Sequence, residues 1–124
     1  MSTIKANTLL HSDGTTTTQP SIPALAPAMA RLWVNFNGTD TVAINSAYNV
    51  SSITDNATGD YTVNFSITLS NINYAESIQA SGRGTVWGAR GYGTITTTSR
   101  SIRTLLNNDT PADGNQVSYI VFGN

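Results

Sequence analysis

Residues 61–69 alternate without interruption: Tyr61, Val63, Phe65, Ile67 and Leu69 are apolar, while Thr62, Asn64, Ser66 and Thr68 are polar. Successive side chains of an extended strand point to opposite faces, so this run puts one face in a core and the other in water. Wound as a helix, the same residues would bury Asn64 and expose Phe65 or Leu69. The pattern is that of a half-buried antiparallel strand. Such a strand needs a second layer to cover its apolar face.

The same period recurs at 31–36, where Leu32, Val34 and Phe36 share one face and Arg31, Trp33 and Asn35 the other. Residues 37–40 then predict a turn, with Asn37-Gly38 supplying the positive φ of a hairpin. Val42 and Ile44 continue a strand, Tyr48 and Val50 open the next, and residues 55–60 form a second turn. Beyond Asn71, residues 73–79 predict a strand, and 94–105 predict a further β-rich stretch carrying Ile95, Ile102 and Leu105. Residues 107–115 read as a polar loop. In the last run, 117–122, Ile120 and Phe122 lie opposite Val117, Tyr119 and Val121, so cover is expected on both faces. Strands of this length, separated by turns every ~8–12 residues, predict an all-β, antiparallel β-sandwich, jelly-roll-like, with no helix of two turns.

At 124 residues the chain has material for one core. Residues 1–30 differ from the remainder, with a polar Thr tract followed by Pro20, Pro23 and Pro27. Proline fixes φ and removes a donor, so spaced prolines stiffen a segment into an extended spacer. The expected organisation is an extended N-terminal arm over 1–30 and a β-sandwich domain over 31–124. Charged residues make up 10% of the chain against the ~25% usual for soluble proteins. Thr, Ser and Asn therefore carry its solubility. Low charge, a two-sided C-terminal strand and an arm together predict a homotrimer.

A net charge of −1 gives no electrostatic footprint for nucleic acid. No run approaches the ~20 apolar residues of a membrane span, so no membrane insertion is expected. The first ten residues lack the apolar core of a secretion signal, which predicts synthesis in the cytoplasm. Without cysteine there is neither a disulfide framework nor a thiolate metal site. The single histidine, His11, lies in the arm, away from any Ser-His-Asp arrangement. Nearly all the aspartates fall in predicted turns, where they cap backbone, and nothing selects a facing carboxylate pair of the kind a glycosidase needs. No catalytic residue, metal site or cofactor is expected, and the chain reads as a non-enzyme.

The segment GRGTVWGARGYG at 82–93 is the most unusual in composition. It is not GxGxxG and no Lys-Ser/Thr follows, so phosphate binding is unsupported. One reading presents Trp87 and Tyr92 beside Arg83 and Arg90 on a flexible loop, suited to stacking on sugar rings and bonding their hydroxyls. The other assigns the glycines to β-bulges and tight bends and the aromatics to a subunit interface.

The segments RLWVNFNGT at 31–39, AYNVSSITDNATGDYTVNF at 47–65 and NYA at 73–75 resemble tail-fibre and receptor-binding virion proteins of tailed bacteriophages. The endings SIRT at 101–104 and VSYIVFGN at 117–124 are similar to the last strands of such domains, and MSTIKANT at 1–8 to their short N-terminal pieces. The resemblance implies a trimeric β-sandwich on the phage tail. Residues 1–30 would hold other virion proteins, and distal loops would meet a host surface polysaccharide or lipopolysaccharide, with Arg83, Trp87, Arg90 and Tyr92 as candidate contacts. The chain is short for a fibre with a shaft, so the implied roles are a short tail fibre, a tail-tip adhesin or, alternatively, a capsid decoration protein stabilising the head.

Overall fold

The computed structural model of the chain describes residues 2–8, 10, 12–14, 28–82 and 88–123. Among the described residues eight strands follow one another: β1 (Ala30–Asn37), β2 (Ala43–Tyr48), β3 (Val50–Ala57), β4 (Asp60–Phe65), β5 (Ala75–Ser81), β6 (Gly88–Ile95), β7 (Ser99–Leu105) and β8 (Gln116–Phe122). They form two antiparallel sheets, here A in the order β2-β1-β8-β5 and B in the order β3-β4-β7-β6. No α-helix occurs among the described residues. In the predicted arm, residues 2–8 lie in no strand and are exposed, while His11, Pro20, Pro23 and Pro27 fall outside the described residues.

The sheets face each other through the residues that alternation marks. Leu32, Val34 and Phe36 of β1 and Val117, Tyr119 and Val121 of β8 are buried against Tyr61, Val63 and Phe65 of β4 and Ile102 of β7. Phe36 meets Tyr61 edge to face, with ring centroids 5.2 Å apart, an arrangement the ring quadrupoles favour. Phe65 stacks on Tyr119 at 6.3 Å. The outward partners of the C-terminal strand, Ile120 and Phe122, are half-buried.

Strand β4 is shorter than the alternation that identifies it. Past Phe65 the amides leave the ladder: Ser66 donates to the Asn49 carbonyl and Leu69 to that of Thr97. Leu69 is nonetheless buried and Ile67 packs against the core, so the pattern predicts burial further than it predicts strand. The β-rich stretch at 94–105 is two strands divided at 96–98, where Thr96 Oγ1 accepts from the amides of Thr98 and Ser99. The expected Asn-Gly hairpin is a longer connection in which positive φ falls at Asp40, at 57°, and not at Gly38. Gly38 has a different duty. A Cβ there would run into the Tyr61 hydroxyl and come within 2.9 Å of the Gly114 carbonyl oxygen.

That hydroxyl closes one end of the sandwich. Tyr61 Oη lies 2.8 Å from Asp113 Oδ1 and 2.9 Å from the Gly38 carbonyl, sharing one proton between two acceptors. Asp113 Oδ1 also accepts from the Gly59 amide at 2.7 Å, and Gly59, with φ of 66°, turns the β3–β4 hairpin. Burial first, then the hydrogen bond to Asp113, raises the Tyr61 pKa well above its ordinary value. Burial, followed by the bond to Glu76, does the same for Tyr119.

Both phenols are thus neutral in the fold at a pH where an unfolded tyrosine ionises, near ~10. Their contribution is complete below that pH and declines as pH rises above it. Denaturation followed from pH 8 to 12 should show stability falling above about pH 10, and Tyr61→Phe should weaken that fall. The same substitution should cost about 2 kcal/mol at neutral pH in urea unfolding, because it strands buried acceptors.

Candidate functional site

Of the four candidates in the stretch at 82–93, Arg83 and Trp87 lie outside the described residues, whereas Arg90 and Tyr92 belong to β6. From Gly88 onward the segment is an edge strand, not a flexible loop. Its ladder with β7 is interrupted between Gly91 and Ile95, and Gly93 there has φ of 64°, a bulge conformation that a side chain disfavours. Glycine erases the alternation by which a strand is recognised, which is why this one reads as loop.

The interior side of β6 explains Gly91. Arg100, on β7, points inward beside Ile102 and Thr104 and crosses to Glu76, the sole glutamate, on β5 of the opposite sheet. Its Nε lies 3.0 Å from both Glu76 oxygens and its terminal Nη2 2.9 Å from Oε1. Tyr119 donates to the second carboxylate oxygen at 2.8 Å, and Arg100 Nη1 donates to the Tyr92 carbonyl at 3.2 Å. The bond to Glu76 is the chief reason that the Arg100 pKa is raised. A Cβ on Gly91 would collide with the Arg100 guanidinium and sit 2.8 Å from Glu76 Oε1. The glycine is therefore a passage for the ion pair.

Tyr92 itself points outward, with 42% of its surface exposed. The guanidinium carbon of Arg103 stands 3.4 Å from its ring centroid, a cation–π contact that covers one face of the ring. Arg103 is held in turn by Asp60, Nη2 to Oδ2 at 2.6 Å, and this bond is the main cause of its raised pKa. Arg90 lies across from Arg103 in the ladder and makes only a loose pair with Asp109 at 3.7 Å, both side chains being largely exposed. The result is an aromatic ring braced from beneath, with the largely exposed Arg90 beside it. It suits contact with a flat, polar partner.

Sequence reasoning singles out Arg90 and Tyr92, which the fold places two positions apart on one strand face. It misses Arg103 and Asp60, which order Tyr92, and it misses the Glu76–Arg100 pair. Strand parity carries the signal for that pair: Glu76 shares its face with Ile78 and Ala80, and Arg100 with Ile102. Of the other carboxylates, Asp60 and Asp113 are engaged by Arg103 and by Tyr61 with Gly59. Among the described residues no three His, Cys, Asp or Glu side chains gather as a metal site. No protein-family model matches the chain, and no curated protein and no solved structure matches it either.

Removing one partner of a buried ion pair leaves an uncompensated charge, so Glu76→Gln should destabilise the fold by about 3 kcal/mol. Gly91→Ala should lower stability by about 1–3 kcal/mol through overpacking. Urea midpoints measured on both variants and on the double variant check the shared cause: the two losses should not add.

Proposed function

We infer that the chain is a bacteriophage virion structural protein, a short tail fibre or tail-tip adhesin that assembles as a homotrimer and binds a host surface glycan. The observation that carries this reading is the braced ring of Tyr92, exposed on a sheet edge beside Arg90 and underlain by Arg103. A sugar ring stacks its C–H face on an aromatic plane and offers hydroxyls to neighbouring guanidinium donors. Such contact needs a rigid mount: the ladder with β7 holds β6 as far as Gly91, and Arg100 fastens the Tyr92 carbonyl just beyond it. The likeness of 31–39 and 47–65 to tail-fibre proteins supports the same role, since these residues build nearly all of β1, the last two positions of β2, and β3 and β4 entire. In this reading residues 1–30 attach the chain to other virion proteins, and Arg83 and Trp87 are further glycan contacts.

Two experiments test the reading. Virions imaged with an antibody fragment against the chain should be labelled at the tail; label spread over the head would replace the adhesin with a capsid decoration protein. Phage carrying Tyr92→Ala should adsorb to its host at least about tenfold more slowly, a loss of the order of 1.4 kcal/mol in binding, while Tyr92→Phe should keep most adsorption. Unchanged adsorption in both variants would remove Tyr92 from the contact.

A further inference from the structure

The outer face of sheet A sets an aromatic row beside a run of neutral polar side chains. Trp33 stands outward on β1 with 36% of its surface exposed, in one cross-strand row with Tyr48 and Ile120. The next row is Ser46, Asn35, Ser118 and Gln79, and beyond it Gln116 faces Ser81. Gln79, Ser81, Gln116 and Ser118 line a shallow recess of about 110 Å³. No carboxylate enters these rows, because Glu76 of β5 turns inward to Arg100.

Hydrogen bonds order part of the face. Asn45 Nδ2 donates to Asn35 Oδ1 at 3.0 Å, and Asn35 Nδ2 donates to Ser118 Oγ at 2.9 Å. This relay sets the orientation of the Asn35 amide and leaves the Ser118 proton for another acceptor. Gln79 and Gln116 are exposed, and each amide offers two donors and an acceptor. Sheet B differs. There Asn64 donates to Ser52 and Thr54, Asn56 donates to Asp60 and Thr62, and Thr62 lies 3.4 Å from the Ser101 hydroxyl. Its polar groups are largely used within the sheet, whereas those at the sheet A recess remain available.

An aromatic plane next to uncharged amide and hydroxyl groups is the chemistry of a sugar site: the ring stacks, and an amide bonds vicinal hydroxyls with donor and acceptor together. The recess far exceeds the ~10–15 Å³ that one water occupies and falls short of the ~300–1,000 Å³ that enclose a drug-sized ligand. It therefore takes part of a ligand that continues along the face. Trp33 and Gln79 are two strands and two residues apart, about 12 Å at ~4.8 Å per strand and ~3.4 Å per residue. One ring does not bridge that distance; a short chain of rings does.

We propose that the outer face of sheet A binds a neutral oligosaccharide, one ring stacked on Trp33 and later units bonded to Asn35, Ser118 and the recess between Gln79 and Gln116. The inference rests on the glycan-binding part of the function given above but assigns a second site, on the sheet opposite Tyr92.

Calorimetric titration of the purified full chain with neutral and acidic oligosaccharides tests it. Neutral-glycan affinity should fall at least about tenfold in Trp33→Ala and in the double variant Gln79→Ala/Gln116→Ala, recover largely in Trp33→Phe, and hold in Asn56→Ala, an exposed site on β3 of the other sheet. The double variant alters exposed residues only, so it reports even where Trp33→Ala folds poorly. Loss in Tyr92→Ala alone would overturn the sheet A site and leave the adhesin reading standing. Preference for acidic glycans, or no glycan binding by a chain that labels phage tails, would overturn it too. So would a Trp33→Ala variant that changes oligomeric mass but not affinity, because the face would then be an interface between copies.

Discussion

The pairing of Glu76 with Arg100 is the constraint around which the open side of the sandwich is arranged. The hydrophobic attraction between two sheets is by itself indifferent to direction. A carboxylate held through three guanidinium contacts is not, because any slip leaves charge buried without its partner. The pair joins β5 of sheet A to β7 of sheet B, and Tyr119 from the middle of sheet A closes the remaining lone pair. It does the work at this side that Tyr61 and Asp113 do where the 59–61 and 112–114 backbones meet.

From that pair the neighbouring features follow. Arg100 has to pass β6 to reach Glu76, so β6 has glycine at 91. It also fastens the Tyr92 carbonyl from inside. The backbone that presents the Tyr92 ring outward is thereby tied to the charge network within, and Arg103 and Asp60 position the ring from outside. An exposed aromatic on an edge strand would ordinarily sample many positions; here two arginines, one on each side of the sheet, limit it.

Period-two reading recovered what depends on burial. Leu32, Val34, Phe36, Tyr61, Val63 and Phe65 all face the core, because apolar side chains at that spacing have no other place to go in a strand. It lost what depends on backbone alone. Strand β4 ends at Phe65 because later amides find partners at Asn49 and Thr97, and no side chain announces that change. Gly88, Gly91 and Gly93 hide β6, since a residue without a side chain has no face to assign. Glu76 and Arg100 were legible in principle from their parity, yet an ionised side chain in a core position reads as a polar interruption until its partner is known, and the two are 24 residues apart. Of the candidate site, Arg90 and Tyr92 could be read from composition; the groups that order them come from β4 and β7, which only the fold brings alongside.

The two outer faces show how a chain with so little charge divides its polar groups. Sheet B bonds Asn, Ser and Thr to one another across strands, and there Arg103 is paired with Asp60. Sheet A bonds Asn45, Asn35 and Ser118 in line and then stops at the Gln79–Gln116 recess, beside an aromatic row. Where β3 and β4 saturate one another, away from the Tyr92 edge, a new hydrogen bond must first break an existing one, leaving only the modest net gain of an exchange. An unsaturated face gives up only water. On the outer face of sheet A, contact with a partner falls to neutral donors and acceptors next to a ring, whereas at the Tyr92 edge guanidinium groups take that part.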